Sequence, residues 1–343
     1  MGIDPKAIDW DSLGFNLTET RSMYKAVCKR EGSWSTGGLI PFGNIELSPA
    51  AGVLNYGQGV FEGMKAYRTI KNRIVIFRPD MNAKRISMSS QRLCMPAMDK
   101  NLFLRAVLAT VKDNLDYIPP NGKGSLYLRP VVWGTAPVLG VKPVDEYTFI
   151  VYASPVGPYF KGDIKPLNLY VTKDYHRAAP KGIGNVKAIG NYSASLLPLI
   201  KAKNEGYDEV IYLNAGDEEL IEEAGAANMF IIKDNVLKTP KLAGSILPGV
   251  TRDSVLTLAR EILEIDVQET DVTLNEVCTA DEVFCTGTAV VVTAVGSITD
   301  LDGEHRIADE KMGRLTSKLK EMLTGIQHED IPDESGWLYP IKE

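Results

Sequence analysis

AAPKGIGNVKAIGNYSASL, residues 178–196, is the stretch on which the reading of this chain turns. It holds Lys187 in a glycine-rich surround, with Tyr192 five residues later. Glycines let backbone approach a ligand closely. A lysine among glycines is far more often a solvated loop residue, so this segment alone gives Lys187 no role. Other stretches have to agree with it.

Three do. In ELIEEAGAANMFII, residues 219–232, two adjacent glutamates enter an apolar, strand-like run. Neighbouring strand residues face opposite sides, so at most one of Glu222 and Glu223 can look into a pocket. Either both are surface charges ahead of the strand, or Glu223 faces a protonated heteroaromatic nitrogen and makes that ring an electron sink. In SILPGVTRDSVLTLAREIL, residues 245–263, Pro248 and Gly249 introduce an amphipathic helix. The amides of Val250 and Thr251 are then unpaired donors at its positive end, where an anion binds readily. Every helix has such an end, and the weight comes from company. FCTGTAVVV supplies Gly287, Thr288 and Ala289 in a turn before an apolar run, and Arg85 adds a fork of charged donors.

Working outward, 343 residues are enough for two domains, each with a substantial core. Hydrophobic residues at 44% and charged residues at 24% describe an ordinary globular protein, not a disordered or fibrous one. A net charge of -6 without a basic patch argues against nucleic acid. Cys28, Cys94, Cys278 and Cys285 lack CxxC spacing and disulfide density, which favours a reducing compartment. His176, His305 and His328 are not spaced with Cys or each other as metal ligands, so no metal is expected. The opening MGIDPKAIDW has no signal-peptide core, and there is no run of 18 apolar residues, so no membrane is expected. The expectation is cytoplasmic, with a mature organellar form as the alternative.

Periodicity places strands at NRIVIFRPD, GSLYLRPVVW, EYTFIVYA, LNLYVT, DEVIYLN, NMFIIKDN, VLKTP and DEVFCTGTAVVVTAV. It places helices at MNAKRISMSSQRL, NLFLRAVLATVKDNLDYI, GVTRDSVLTLAREIL and MGRLTSKLKEMLTGI. A helix starting near Asn191 would carry Pro198 in its interior, costing roughly 3 kcal/mol unless it kinks. The Gly- and Pro-rich SPVGPYFKGDIKP is the linker candidate. The expected domains are therefore 1–155 and 167–343, joined by 156–166. Tyr127 and Arg129, two apart on a strand, should point to one face.

Taken in order, NIELSPAAGVLNYGQGVFEGMKAYR, FRPDMNAKRISMSSQRL, SLYLRPVVWG, VGPYF, APKGIGNVKAIGNY, EEAGAANMF, LPGVTRDSV and DEVFCTGTAVVV resemble the branched-chain aminotransferases of fold type IV, in particular their plant and bacterial-like branch. The resemblance implies an α+β, two-domain, D-amino-acid-aminotransferase-like fold. A smaller N-terminal α/β domain and a larger strand-rich C-terminal domain would hold pyridoxal 5'-phosphate in the cleft between them. It implies that Lys187 binds the cofactor covalently, Tyr192 its phenolic oxygen and Glu223 its pyridine nitrogen. Arg85, the Val250 and Thr251 amides and Thr288 would hold the phosphate. On the substrate side it implies Tyr56, Phe61, Gly63, Tyr127, Arg129, Leu139, Val141, Tyr159, Thr288 and Ala289, with Arg129 holding the distal carboxylate of glutamate. A homodimer is implied, in which Tyr56, Leu139 and Val141 come from the partner. After GTA the chain reads VVVTA, without the CxxC pair of mammalian members, so their thiol switch is not expected here. A D-amino-acid aminotransferase, an aminodeoxychorismate lyase and a non-catalytic cofactor-binding protein are the alternatives.

Overall fold

The computed structural model describes residues 2–157 and 165–341 and divides into two compact units, Met1–Tyr159 with Val186–Ile189 and Ile326–Glu343, and Phe160–Asn185 with Gly190–Gly325. The units are thus not two continuous halves of the chain. Pairing explains why: Leu338–Pro340 adds an antiparallel edge to Ile74–Phe77, and Ala188 bridges Val60. Hydrogen bonds to strands in the first unit draw in two segments that lie far from it in sequence.

In the first unit the described residues form an eight-stranded sheet whose long central strands are Ser125–Gly134 and Glu146–Val156. Helices Pro79–Arg92 and Lys100–Asp113 supply the apolar face that packs with it. Pro79 sits in the first turn, where its missing N–H is harmless, and the Asp99 carboxylate caps the second helix by accepting from the Leu102 amide at 2.7 Å. Ile86, Phe103, Leu126, Leu128 and Phe149 are among its fully buried core residues.

In the second unit nine strands form a sheet that closes on itself. Asp217–Ala224 pairs with Glu209–Asn214 on one side and Ala227–Lys233 on the other, so six strands complete a ring. The closing contacts are Glu223 opposite Asn228 and Ala224 opposite Ala227. DEVFCTGTAVVVTAV is two strands, not one: Glu282–Gly287 turns back through Thr288–Val290 into Val291–Thr299. The chain also avoids the proline penalty expected near Asn191. It breaks between helices Ile189–Ser193 and Leu196–Asn204, leaving Pro198 in the first turn of the latter. Among the described residues no helix is long and apolar enough to cross a membrane.

Candidate active site

In the first unit Lys187 lies on the Val186–Ile189 segment, where Val186 and Ala188 are buried and Lys187 is half-buried, an alternation typical of an extended strand. Its backbone is tied on both sides. The Lys187 amide donates to Ser89 Oγ at 3.0 Å, and its carbonyl accepts from the Phe61 amide at 3.1 Å. Its Nζ lies 4.7 Å from the centre of the Phe61 ring, and the Arg129 guanidinium lies 4.8 Å from that same centre. Arg129 Nη2 donates to Tyr127 Oη at 3.1 Å, as two residues on one face of a strand allow.

Gly63 explains itself by close approach: a Cβ there would lie 2.1 Å from Tyr127 Oη. Arg85 is buried, and its Nε and Nη2 each donate to Glu62 at 2.7 Å, while Asn82 Nδ2 donates to the same carboxylate. Glu62 thereby fixes the plane of the guanidinium. Tyr56 ends the helix Gly52–Tyr56, and its hydroxyl donates to the Leu139 carbonyl. Leu139 and Val141 are 91% and 87% exposed, so within one chain they wall no pocket. Tyr159 lies outside the described residues.

In the second unit both adjacent glutamates are buried, at 1% and 2% exposure. This corrects the surface-charge reading: Asn214 and Ser245 cover Glu222, and Arg177, Asn228 and Leu247 cover Glu223. Their surroundings differ. Glu223 is ion-paired with Arg177 Nη2 at 2.6 Å and accepts from Asn228 Nδ2 at 3.0 Å and the Leu247 amide at 3.2 Å. Glu222 takes its bonds on Oε1, from Asn214 Nδ2 at 2.9 Å and Ser245 Oγ, while its buried Oε2 has no hydrogen-bond partner. Burial pushes the Glu222 carboxyl above the usual carboxylate range, against the opposing pull of Ser245, Arg177 and Asn214.

Asn228 is where the parts of this cluster meet. Its Nδ2 also donates to the Leu247 carbonyl at 2.9 Å, and its backbone pairs opposite Thr286 on the strand that leads to Thr288. A Cβ on Gly249 would fall 2.0 Å from Asn228 Oδ1, so glycine lets the start of helix Val250–Thr257 come this near. That start has no side-chain cap, and its Val250 and Thr251 residues are buried. Such a helix end suits an anion. Past Thr288 and Ala289 the turn ends on Val291 at φ 58°, a left-handed conformation that a β-branched residue adopts only under strain of about 1–3 kcal/mol. Tyr192 is half-buried on Ile189–Ser193, and Asn191 Nδ2, donating to the Ile183 carbonyl at 2.9 Å, folds the glycine-rich loop back on that helix.

Sequence reasoning assigned no role to Glu62, Ser89, Arg177 or Asn228. Glu62, Ser89 and Asn228 stand inside the recognised motifs, and Arg177 lies just ahead of one, yet only their contacts in the folded chain show which polar groups they orient.

Each unit contributes chemistry of its own. The buried carboxylate–arginine pair and uncapped helix start of the second suit an anionic cofactor, and the lysine of the first, tied at both backbone groups, suits a reaction with a carbonyl. The amino-transferase class IV family matches residues 59–298, and the chain belongs to that family. It is 48% identical over 330 residues to branched-chain-amino-acid aminotransferase 5, chloroplastic, of Arabidopsis thaliana, covering 96% of this chain and 79% of that one. It is 49% identical over 331 residues to branched-chain-amino-acid aminotransferase 3, chloroplastic, of the same plant, covering 96% and 80%. Among solved structures, a branched-chain amino acid aminotransferase from Escherichia coli superposes with a TM-score of 0.82 at 28% identity, covering 94% of this chain and 100% of that one.

Proposed function

We propose that this chain transfers the amino group of leucine, isoleucine and valine to 2-oxoglutarate, giving branched 2-oxo acids and L-glutamate, with pyridoxal 5'-phosphate as cofactor. The observation that carries this reading is the shared ring of Phe61, with the Lys187 amine 4.7 Å and the Arg129 guanidinium 4.8 Å from its centre. A pocket that must take an aliphatic side chain and then an acidic one needs an apolar wall and a carboxylate-binding fork together. The aligned length and identity of the plant relatives support the same substrate class.

The residues fit the cofactor. The uncapped amides of Val250 and Thr251, the Thr288 hydroxyl and Arg85 would hold its phosphate, and Glu223, oriented by Arg177 and Asn228, would face its pyridine nitrogen. Tyr192 would donate to its phenolic oxygen, and Lys187 would bind it covalently. Bound, it supplies the electron sink for the charge left when a substrate α-proton departs. Released when the incoming substrate amine takes its place, Lys187 Nζ would be free to accept that proton from Cα and pass it on, the work of a positioned base and acid. The Thr288 and Ala289 amides receive the α-carboxylate. Phe61 and Tyr127 wall the side chain, Gly63 keeps the wall clear, and Arg129 takes the distal carboxylate of the acidic partner.

A homodimer completes the site in this proposal, with Tyr56, Leu139 and Val141 serving the partner. Leu139 and Val141 stand exposed in the loop between strands Ser125–Gly134 and Glu146–Val156, where a partner can cover them, and this supports it. Light scattering on the purified chain reads its mass directly, and a monomer that turns over at full rate contradicts the shared site. Cytoplasm is the compartment proposed from the sequence. The chloroplastic names of the two relatives point instead to a plastid, and cell fractionation separates the two.

The central test is Lys187→Ala. Transamination between L-leucine and 2-oxoglutarate should be lost while the circular dichroism spectrum and noncovalent binding of cofactor persist. Turnover near that of the unaltered protein removes Lys187 from the mechanism.

A further inference from the structure

At the far end of the strand that follows the Thr288 turn, three side chains of different chemistry converge. Cys278 closes helix Leu274–Cys278, Asp300 follows strand Val291–Thr299, and His305 is the middle residue of strand Glu304–Arg306. Their ligand atoms, one thiol sulfur, one carboxylate oxygen and one imidazole nitrogen, lie within 4.8 Å of one another. We propose that Cys278, Asp300 and His305 bind a borderline-soft divalent cation, with zinc the best match, as a structural clip between the helix end and the strand hairpin.

The donor set selects the ion. Thiolate and imidazole disfavour magnesium and calcium, which take oxygen ligands, whereas sulfur, nitrogen and carboxylate oxygen in one cluster suit zinc. Bond lengths of about 2.0–2.3 Å in a tetrahedral site put neighbouring donors roughly 3.3–3.8 Å apart. Donors already within 4.8 Å reach that spacing by small side-chain rotations. Two anionic ligands would match the charge of a dication. Three protein ligands leave a fourth position for water, and His305, with 33% of its side chain exposed, keeps the cluster open to solvent.

Asp300 is oriented in advance. Its Oδ1 accepts from the Asp302 amide at 2.8 Å and the Gly303 amide at 3.2 Å, and the Asp300 amide donates to the Gly303 carbonyl at 3.1 Å. Gly303, at φ 131°, permits the turn that makes these bonds. His305 Nε2 stands 3.2 Å from the same carboxylate oxygen, and Ile298 opposite His305 fixes the hairpin register. Ligands held by such an outer layer bind metal with less ordering loss.

Val291 and Thr299 are eight residues apart on one strand, roughly 26 Å at about 3.3 Å per residue. The clip is therefore remote from the Thr288 turn, and its loss should leave transamination intact. The test uses the cofactor-loaded protein, stripped of metal by a chelator and titrated with cobalt(II) and then zinc. One equivalent of cobalt should give a thiolate-to-metal charge-transfer band that zinc abolishes, and zinc should raise the melting temperature. Cys278→Ser should eliminate the band, and His305→Gln should weaken zinc binding at least tenfold in competition with a chromophoric chelator, both at unchanged transaminase rate. The exposed Cys94 provides the control, and Cys94→Ser should change nothing. A band that survives Cys278→Ser, one that disappears in Cys94→Ser, or binding of magnesium in preference to zinc overturns the proposal. If Cys278→Ser does not fold, His305→Gln decides the matter, and zinc binding as tight as in the unaltered protein overturns the clip.

Discussion

The Lys187 cluster of the first unit and the Glu223 cluster of the second are built on different principles. Around Lys187, charged tips lie against an aromatic ring: the amine and the guanidinium both address Phe61, and Arg129 has a hydroxyl neighbour in Tyr127. Around Glu223, charge is locked by charge and by backbone: Arg177, Asn228 and the Leu247 amide all converge on one carboxylate. Cation–ring contacts are worth about 0.5–2 kcal/mol and tolerate movement, whereas a buried pair that loses one member is destabilised by about 3–5 kcal/mol. The first arrangement suits groups that must meet two substrates in turn, and the second suits a fixed cofactor. Substitutions in the first should thus change turnover and selectivity, and those in the second should change electronics, cofactor retention or stability.

The largest effect is expected from Glu223, the charge proposed to face the cofactor ring. Glu223→Gln keeps shape and removes the anion, so kcat should fall at least about a hundredfold with a modest change in cofactor affinity. Glu222→Gln should leave kcat within a fewfold. An equal fall from Glu222→Gln would transfer the role to the other face of the strand.

Arg129→Met comes next. Its fork is assigned to a carboxylate that leucine lacks, and a charge-assisted hydrogen bond of about 1.5–3 kcal/mol corresponds to roughly tenfold to over a hundredfold. Single-turnover kcat/KM for 2-oxoglutarate should drop by that order, with a smaller loss for leucine. Equal losses would make Arg129 a shared structural element, for example the support of Tyr127.

Two glycines then sharpen the contrast between the clusters. In Gly249→Ala the new Cβ would meet Asn228 Oδ1 at 2.0 Å and move the helix start, so cofactor retention should weaken by roughly tenfold, about 1.4 kcal/mol. In Gly63→Ala it would meet Tyr127 Oη at 2.1 Å, so KM for leucine should rise while cofactor retention stays as it was. Equilibrium dialysis of the cofactor and steady-state KM for leucine read the pair, and an interchange of the two outcomes breaks the comparison.

The smallest effect is in stability against pH. The folded-state pKa of Glu222 is raised from 4.5, so the fold favours its protonated form. The stability this gives is fully present below about 4.5 and is lost as pH rises through the raised value. Glu222→Gln cannot lose a proton there. Its melting temperature relative to the unaltered protein should therefore climb with pH, by about 2–4 °C for each 1 kcal/mol. A difference that stays flat from about pH 5 to 8 would mean that Glu222 does not titrate in the fold.

The amino-acid sequence by itself determined the elements and the family. Periodicity placed strands such as Ser125–Gly134 and helices such as Lys100–Asp113, and eight ordered motifs carried the resemblance that the class IV match bears out. These are local properties, because alternation, caps and glycine positions act over a few residues. Tertiary structure alone decided which polar groups meet. Glu222 and Glu223 read as surface charges or a single inward residue until the folded chain buried both and pairing with Ala227–Lys233 set Asn228 opposite Glu223. Pro198 marked a break in advance, but not that the chain would end one helix at Ser193 and start another at Leu196. His305 had no metal-ligand spacing with any cysteine, yet the hairpin brings it to Cys278 across 27 positions of sequence. Spacing along the chain reports only partners within one element, whereas strand pairing joins residues at any separation, so such clusters exist only once the sheet has formed.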